Sequence, residues 1–183
     1  GNTFANTLVL QRRFEPENVL RAIEAHRVNV MAVVPVMLNR ILALDPSVIR
    51  KYDTSSLRMV GCSGSALPGE LAIRWMDTFG ANLHTMYGST AVSVSGVALP
   101  AELRSAPGTA GRPPLGTTVR IYDDDDKPVS QGTTGRIFVG NGQQFDGYTG
   151  GGTKKMLDGL MSSGDVGHFD ENGLLFVEGR DDD

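Results

Sequence analysis

Between residues 16 and 88 the sequence keeps switching between two periodicities, and that alternation limits the fold more than any other feature. PENVLRAIEAHR (16–27) places Val19, Leu20, Ile23 and His26 along one face at helical spacing, with Pro16 at the helix start. VNVMAVV (28–34) follows as a continuous apolar run, the pattern of a parallel strand covered on both faces. After Pro35 the pattern predicts a helix through about Leu44 and a short one over 46–51. SSLRMVGCSG (55–64) reads as strand then turn. PGELAIRWMDTFG (68–80) reads as a helix with Pro68 at its first position, Leu71, Trp75 and Phe79 on one face and Gly80 as its stop. NLHTMYG (82–88) is the next strand. Strand–helix–strand alternation predicts an α/β layer built on a mostly parallel sheet.

The texture changes near residue 100. PAELRSAPGTAGRPPLG (100–116) is rich in Pro and Gly and reads as a connector. Beyond it, TTVRIYD (117–123), GRIFVG (135–140), LDGLM (157–161) and VGHFDENGLLFVEGR (166–180) read as short strands and hairpins. The expected fold is therefore α/β plus β: an α/β subdomain over 1–103, then a small β-barrel-like subdomain over 104–183. Asp123–Asp126 followed by Lys127 has the look of a protease-cleavage signal. Pro128 argues against cleavage, and a solvated hairpin tip is the expectation.

Bulk properties exclude several classes. With 40% hydrophobic and 21% charged residues the chain is an ordinary soluble type, and its formal charge of −4 gives no case for nucleic acid. Any membrane contact is expected to be peripheral at most. The single cysteine, Cys62, excludes an internal disulfide and suits a reducing compartment, so a cytoplasmic location is expected. The chain starts at GNTFAN and stops at GRDDD, and both ends read as cut from something longer.

Three glycine-centred pieces could carry chemistry. GCSGSALPGEL (61–71) turns from a strand into a helix, where backbone amides can meet an anion. In MYGSTAVSVSG (86–96), Tyr87 could stack on a planar base, Gly88 gives the turn room, and the Ser89 and Thr90 hydroxyls could reach phosphate. In SSGDVGHFDENGLLFVEGR (162–180), Asp165 sits where a carboxylate can accept from vicinal hydroxyls, with Arg180 ending the same hairpin. Taken singly, each is a weak signal: the YGST loop reads first as a polar loop, Asp165 can be a turn cap and Arg180 a surface charge.

In this order the pieces resemble the large domain of the adenylate-forming enzymes, which include acyl-CoA synthetases, firefly-type luciferases and peptide-synthetase adenylation domains. YGST resembles that family's Tyr-Gly-x-Thr-Glu loop. TGRIFVGNGQQFDGY (134–148) resembles its Gly-Glu-Leu…Gly-Tyr segment, and residues 162–183 its Thr-Gly-Asp…Gly-Arg stretch. PGTAGRPPLG and YTGGGTKKMLDGLMSSGD look most like bacterial fatty acyl-CoA synthetases of mycobacterial type.

The resemblance implies site residues. Gly64, Ser65, Ala66 and Tyr87 would sandwich adenine, Gly88 would belong to the same nucleotide site, and Thr90 would touch phosphate as the catalytic residue. Asp165, Val177 and Arg180 would complete the nucleotide site. Ser93, Val94 and Gly96 would line the acyl tunnel, and Asp182 would be an interdomain hinge. It also implies ATP (leaving as AMP), Mg2+ and CoA as cofactors or co-substrates, and a fatty acid as substrate. A homo-oligomer is compatible with it. The sequence departs from the family at Ala91, which occupies the place of the glutamate expected to hold magnesium, so no metal ligand is assigned here. The family's phosphate loop and catalytic lysines also fall outside the chain, so the chain alone is expected to be inactive. Three readings of the parent stay open: a fatty acid–CoA ligase, a silent acyl-adenylate or lipid binder, and an acyl-AMP ligase feeding a carrier protein.

Overall fold

The computed structural model describes residues 6–145, 147, 149–150 and 152–181. The first half builds α1 (Pro16–His26), β1 (Val30–Val33), α2 (Pro35–Leu42), α3 (Pro46–Ile49), β2 (Met59–Cys62), α4 (Gly69–Phe79), β3 (Leu83–Ser89) and β4 (Ser93–Ala98). The strands lie in the order β1-β2-β3-β4, with β1, β2 and β3 parallel and β4 antiparallel to β3. Prolines start α1, α2 and α3, where a missing N–H leaves no helical bond unmade. The helices bury Leu20 and Ile23 of α1, Leu38 and Ile41 of α2, and Leu71, Trp75 and Met76 of α4 against Val60, Cys62 and Leu83 of the sheet. Trp75 is fully buried, and its indole N–H is satisfied by the Asn82 side-chain oxygen at 3.1 Å. Asn82 in turn donates to the Leu57 carbonyl, tying α4 to the segment that enters β2.

The α/β reading of this half holds, with local corrections. Val30 is 62% exposed, because β1 is the edge strand of this sheet and helices cover only one of its faces. His26 of α1 is exposed rather than part of the apolar face. Pro68 stands just before α4 as its cap, not inside it.

The Pro/Gly-rich stretch is more than a connector. It opens with α5 (Pro100–Ser105), where Pro100 takes the first turn and the Glu102 carboxylate accepts from the Leu99 N–H at 3.0 Å. It then stitches the two halves together. The Val97 and Arg112 backbones exchange hydrogen bonds of 2.9 and 3.0 Å, and the Leu175 N–H donates to the Gly111 carbonyl at 2.8 Å.

The second half is an antiparallel, curled half-barrel of β5 (Thr118–Tyr122), β6 (Gly135–Gly140), β7 (Met156–Leu157), β8 (Leu160–Phe169) and β9 (Leu175–Arg180). The Asp158-Gly159 pair turns the β7–β8 hairpin with φ of +50° and +77°, as a two-residue turn of that composition requires. The acidic run does form a turn after β5, closed by the Asp123 carboxylate accepting from the Asp125 and Lys127 N–H groups at 3.0 and 2.8 Å. Asp126 is not merely solvated. Lys155 foremost, and then Arg136, bind its carboxylate and hold its pKa below the ordinary aspartate value. A separate apolar cluster of Ala91, Val92, Ile121, Ile137, Val139, Met161 and Leu175 joins the β3–β4 loop to this half.

Candidate functional site

The turn after β2 and the end of β3 lie side by side, because the parallel register pairs Cys62 with Thr85. Both are at the carboxyl ends of their strands, where open α/β sheets present ligand sites. Gly64, Ser65 and Ala66 are exposed on that turn, and Gly64 has φ +93°, a conformation that favours glycine. Cys62, one step inside, is fully buried, and burial pushes its thiol up to about 11, so it is a structural thiol rather than a nucleophile.

β3 and β4 form a hairpin in which Ser89 faces Ser93, leaving Thr90, Ala91 and Val92 as the connection. Gly88 is needed for this closure, since a Cβ there would lie 2.0 Å from the Ser93 carbonyl oxygen. Ser93 itself takes a left-handed φ of +58° and donates to the Gln143 side chain at 2.9 Å. Thr90 is exposed at the tip. Ala91 points the other way: it is 7% exposed and packs in the second apolar cluster.

Asp165 stands on β8 opposite Arg180 of β9. One of its oxygens accepts from the Arg180 guanidinium at 2.9 Å, and the other accepts from the Tyr87 hydroxyl at 2.5 Å. This carboxylate therefore joins the α/β sheet to the half-barrel across 78 residues of sequence. Its backbone is fixed as well. The Asp165 N–H donates to the Ser163 hydroxyl, which donates to the Ile137 carbonyl, both at 3.1 Å. The Lys154 ammonium caps the Ser163 carbonyl at 2.5 Å.

Burial first, and then the hydrogen bond to Asp165, raises the Tyr87 phenol well above its ordinary value of 10. A phenol raised in the folded state contributes stability that is complete below pH 10 and is lost as pH climbs through the folded value. Alkaline titration of phenolate absorbance should accordingly show a late-ionising tyrosine that disappears in Tyr87→Phe. Burial raises Tyr122 as well, so the readout is amplitude: a late component undiminished by the substitution would assign it elsewhere.

The structure thus brings Tyr87, Asp165 and Arg180 into one hydrogen-bonded cluster, with the Gly64–Ala66 turn on the strand next to Tyr87. Val177 is half-buried against the second apolar cluster. Ser93, Val94 and Gly96 differ in exposure: Val94 is 39% exposed, and a Cβ on buried Gly96 would meet the Ala110 carbonyl oxygen at 2.7 Å. Asp182 lies outside the described residues, as do Asp146 and Tyr148 of the 134–148 segment. Sequence reasoning passed over Asn141 and Gln143. The Asn141 side chain donates to the Val92 carbonyl at 2.8 Å, and Gln143 takes the Ser93 hydroxyl, so this loop holds the hairpin tip in place. Their contacts span about fifty residues, and no local pattern announces them. Among the described residues no group of three or more His, Cys, Asp or Glu side chains could hold a metal ion.

Comparison with known proteins puts a family on this geometry. The chain is 33% identical over 178 residues to an indoleacetate–CoA ligase of Aromatoleum aromaticum, covering 95% of this chain and 34% of that protein. It is 35% identical over 178 residues to a feruloyl-CoA synthase of an Amycolatopsis species, covering 95% of this chain and 36% of the relative. The chain therefore spans about a third of the length of these curated relatives. The amide bond synthetase McbA of Marinactinospora thermotolerans superposes with a TM-score of 0.86 at 27% identity, over 94% of this chain and 36% of that one. Residues 4–149 match the profile described as AMP-binding enzyme, which takes in the β2 turn, the whole β3–β4 hairpin and β6. The chain belongs to the AMP-binding enzyme family.

Proposed function

We propose that this chain supplies the nucleoside-holding part of an ATP-dependent acid–thiol ligase. The observation that carries this reading is the Asp165 carboxylate, fixed between Tyr87 and Arg180, with the exposed Gly64–Ala66 turn following the strand that pairs with Tyr87's own. In the whole enzyme a substrate carboxylate oxygen would attack the α-phosphorus of ATP and expel pyrophosphate, giving an acyl-adenylate. The CoA thiol would then displace AMP and form the thioester. The roles proposed for this chain are those of holding and charge balance. The Tyr87 ring and the Gly64–Ala66 turn would flank adenine, and Asp165 would accept from the ribose hydroxyls. Arg180 would balance charge, and the exposed Thr90 hydroxyl would donate to a phosphate oxygen.

The family relationship and the names of the CoA-ligase relatives support the ligase class. The acid has two candidates: the fatty acid that the sequence texture suggests, and aromatic acids of the kind named in the relatives. Thioester formation by the full-length enzyme with each class of acid decides between them. Magnesium does not fit the residues present, because position 91 offers a buried methyl group and no group of three or more His, Cys, Asp or Glu side chains among the described residues could hold an ion. Among those residues no helix is long and apolar enough to cross a membrane, and a cytoplasmic location remains part of the proposal.

The test is direct. Titration of this chain with AMP, followed by NMR, should shift Gly64–Ala66, Tyr87, Asp165 and Arg180, and Asp165→Ala should weaken binding at least tenfold, about the worth of a hydrogen bond to a charged group. Binding that survives Asp165→Ala unchanged, or shifts confined to other surfaces, would sink the reading.

A further inference from the structure

We propose that the Tyr87 hydroxyl is a positioning group that presets the Asp165 carboxylate for a vicinal diol, a role separate from anything its ring does. The proposal rests on the nucleoside-site reading above and goes beyond it, because it makes recognition of the ribose depend on a residue of the other sheet.

The argument is one of lone pairs. An ionised carboxylate offers about four acceptor sites, two on each oxygen. Here the Tyr87 hydroxyl takes one site on Oδ2 and the Arg180 guanidinium takes one on Oδ1. Each oxygen keeps a second site, and a diol with its two hydroxyls on one side can donate one hydrogen to each. With a single donor the carboxylate could rotate about its last bond and offer its free sites in any plane. Two donors from different strands, β3 and β9, fix that plane. The side chain is only 15% exposed, so few other orientations are open to an incoming ligand. The bond is also a one-way assignment, since a carboxylate accepts and the phenol must donate. Burial helps to keep the Tyr87 proton in place across neutral pH.

A hydroxyl that merely braced the fold would make a different prediction, because its loss would weaken every nucleotide alike. The measurement is therefore a ratio. AMP and 2′,3′-dideoxy-AMP are titrated into this chain and into Tyr87→Phe, with a dispersed amide spectrum confirming that the variant is folded. The parent should prefer AMP, and Tyr87→Phe should cut that preference about tenfold, AMP losing more affinity than dideoxy-AMP because the ring remains. Equal weakening of both nucleotides would overturn the positioning role and leave the site reading intact. Failure of the parent chain to bind either nucleotide would overturn the site reading and the proposal together. A second measurement needs no variant: the Tyr87 hydroxyl proton, whose oxygen lies 2.5 Å from the Asp165 carboxylate, should shift further when AMP is added than when dideoxy-AMP is added. An identical response to both nucleotides would again overturn it.

Discussion

Gly111→Ala should destabilise this chain by about 3 kcal/mol or more, the range reserved for backbone clashes inside a packed structure. Gly111 has φ +81°, and a Cβ built there would lie 2.0 Å from the Val97 carbonyl oxygen and 2.3 Å from the Ala98 nitrogen. Both are backbone atoms of β4, so no side-chain rotation can relieve the overlap. Moving the segment instead would break the paired bonds between Val97 and Arg112, and the Leu175 N–H bond to Gly111, that hold the two sheets together. Gly116→Ala is the matched control. It has the same φ of +81° with nothing within 4 Å, so it should cost only the left-handed penalty of about 1–2 kcal/mol. Urea unfolding of both variants gives the comparison, and equal costs would refute the steric account.

Ala91→Glu should cost about 2–4 kcal/mol, and magnesium should not restore it. The Tyr-Gly-x-Thr-Glu pattern that this loop resembles suggests that a carboxylate would be welcome. The packing argues otherwise, because the Ala91 methyl lies among the apolar side chains of the second cluster and its carbonyl accepts from the Phe145 N–H at 3.2 Å. A glutamate must either bury its charge there or turn the loop outward and give up both contacts. If it stays inside, its pKa is raised in the folded state. The deficit is then smallest below about pH 4, near the ordinary glutamate value, and grows as pH rises. Urea midpoints at acid and neutral pH, each with and without magnesium, test this. A variant as stable as the parent, with a midpoint that rises on adding magnesium, would show that the loop can still hold the ion.

How much of this was legible depends on how local the cause is. The Asp158-Gly159 turn, the Pro16 and Pro35 helix starts and the Trp75 face of α4 follow from neighbours a few residues apart, and they stand where the pattern puts them. α5 was legible in principle, since Pro100 and Glu102 carry its start signal, but the surrounding Pro and Gly masked it. The exposure of Val30 was not legible, because an apolar run does not say whether its strand lies at an edge. Within the candidate site, loop texture and resemblance put Tyr87, Asp165 and Arg180 forward. Only the fold shows that the phenol and the carboxylate touch, or that Ala91 faces inward into the second apolar cluster.

The stitch between the sheets also sets a timetable for synthesis. The Thr109 hydroxyl and the Ala110 N–H both close on the Leu175 carbonyl, a contact spanning 66 residues for Thr109. A chain emerging from the ribosome completes β1 to β4 long before Leu175 appears. During that interval the outer edge of β4 has no β9-anchored cover, and it presents unpaired backbone groups of the kind that recruit strands from other chains. Late, non-local closure slows folding and lengthens the period in which aggregation competes. Refolding yield should therefore fall with protein concentration, and holdase chaperones should engage nascent chains that end between Ala98 and Leu175.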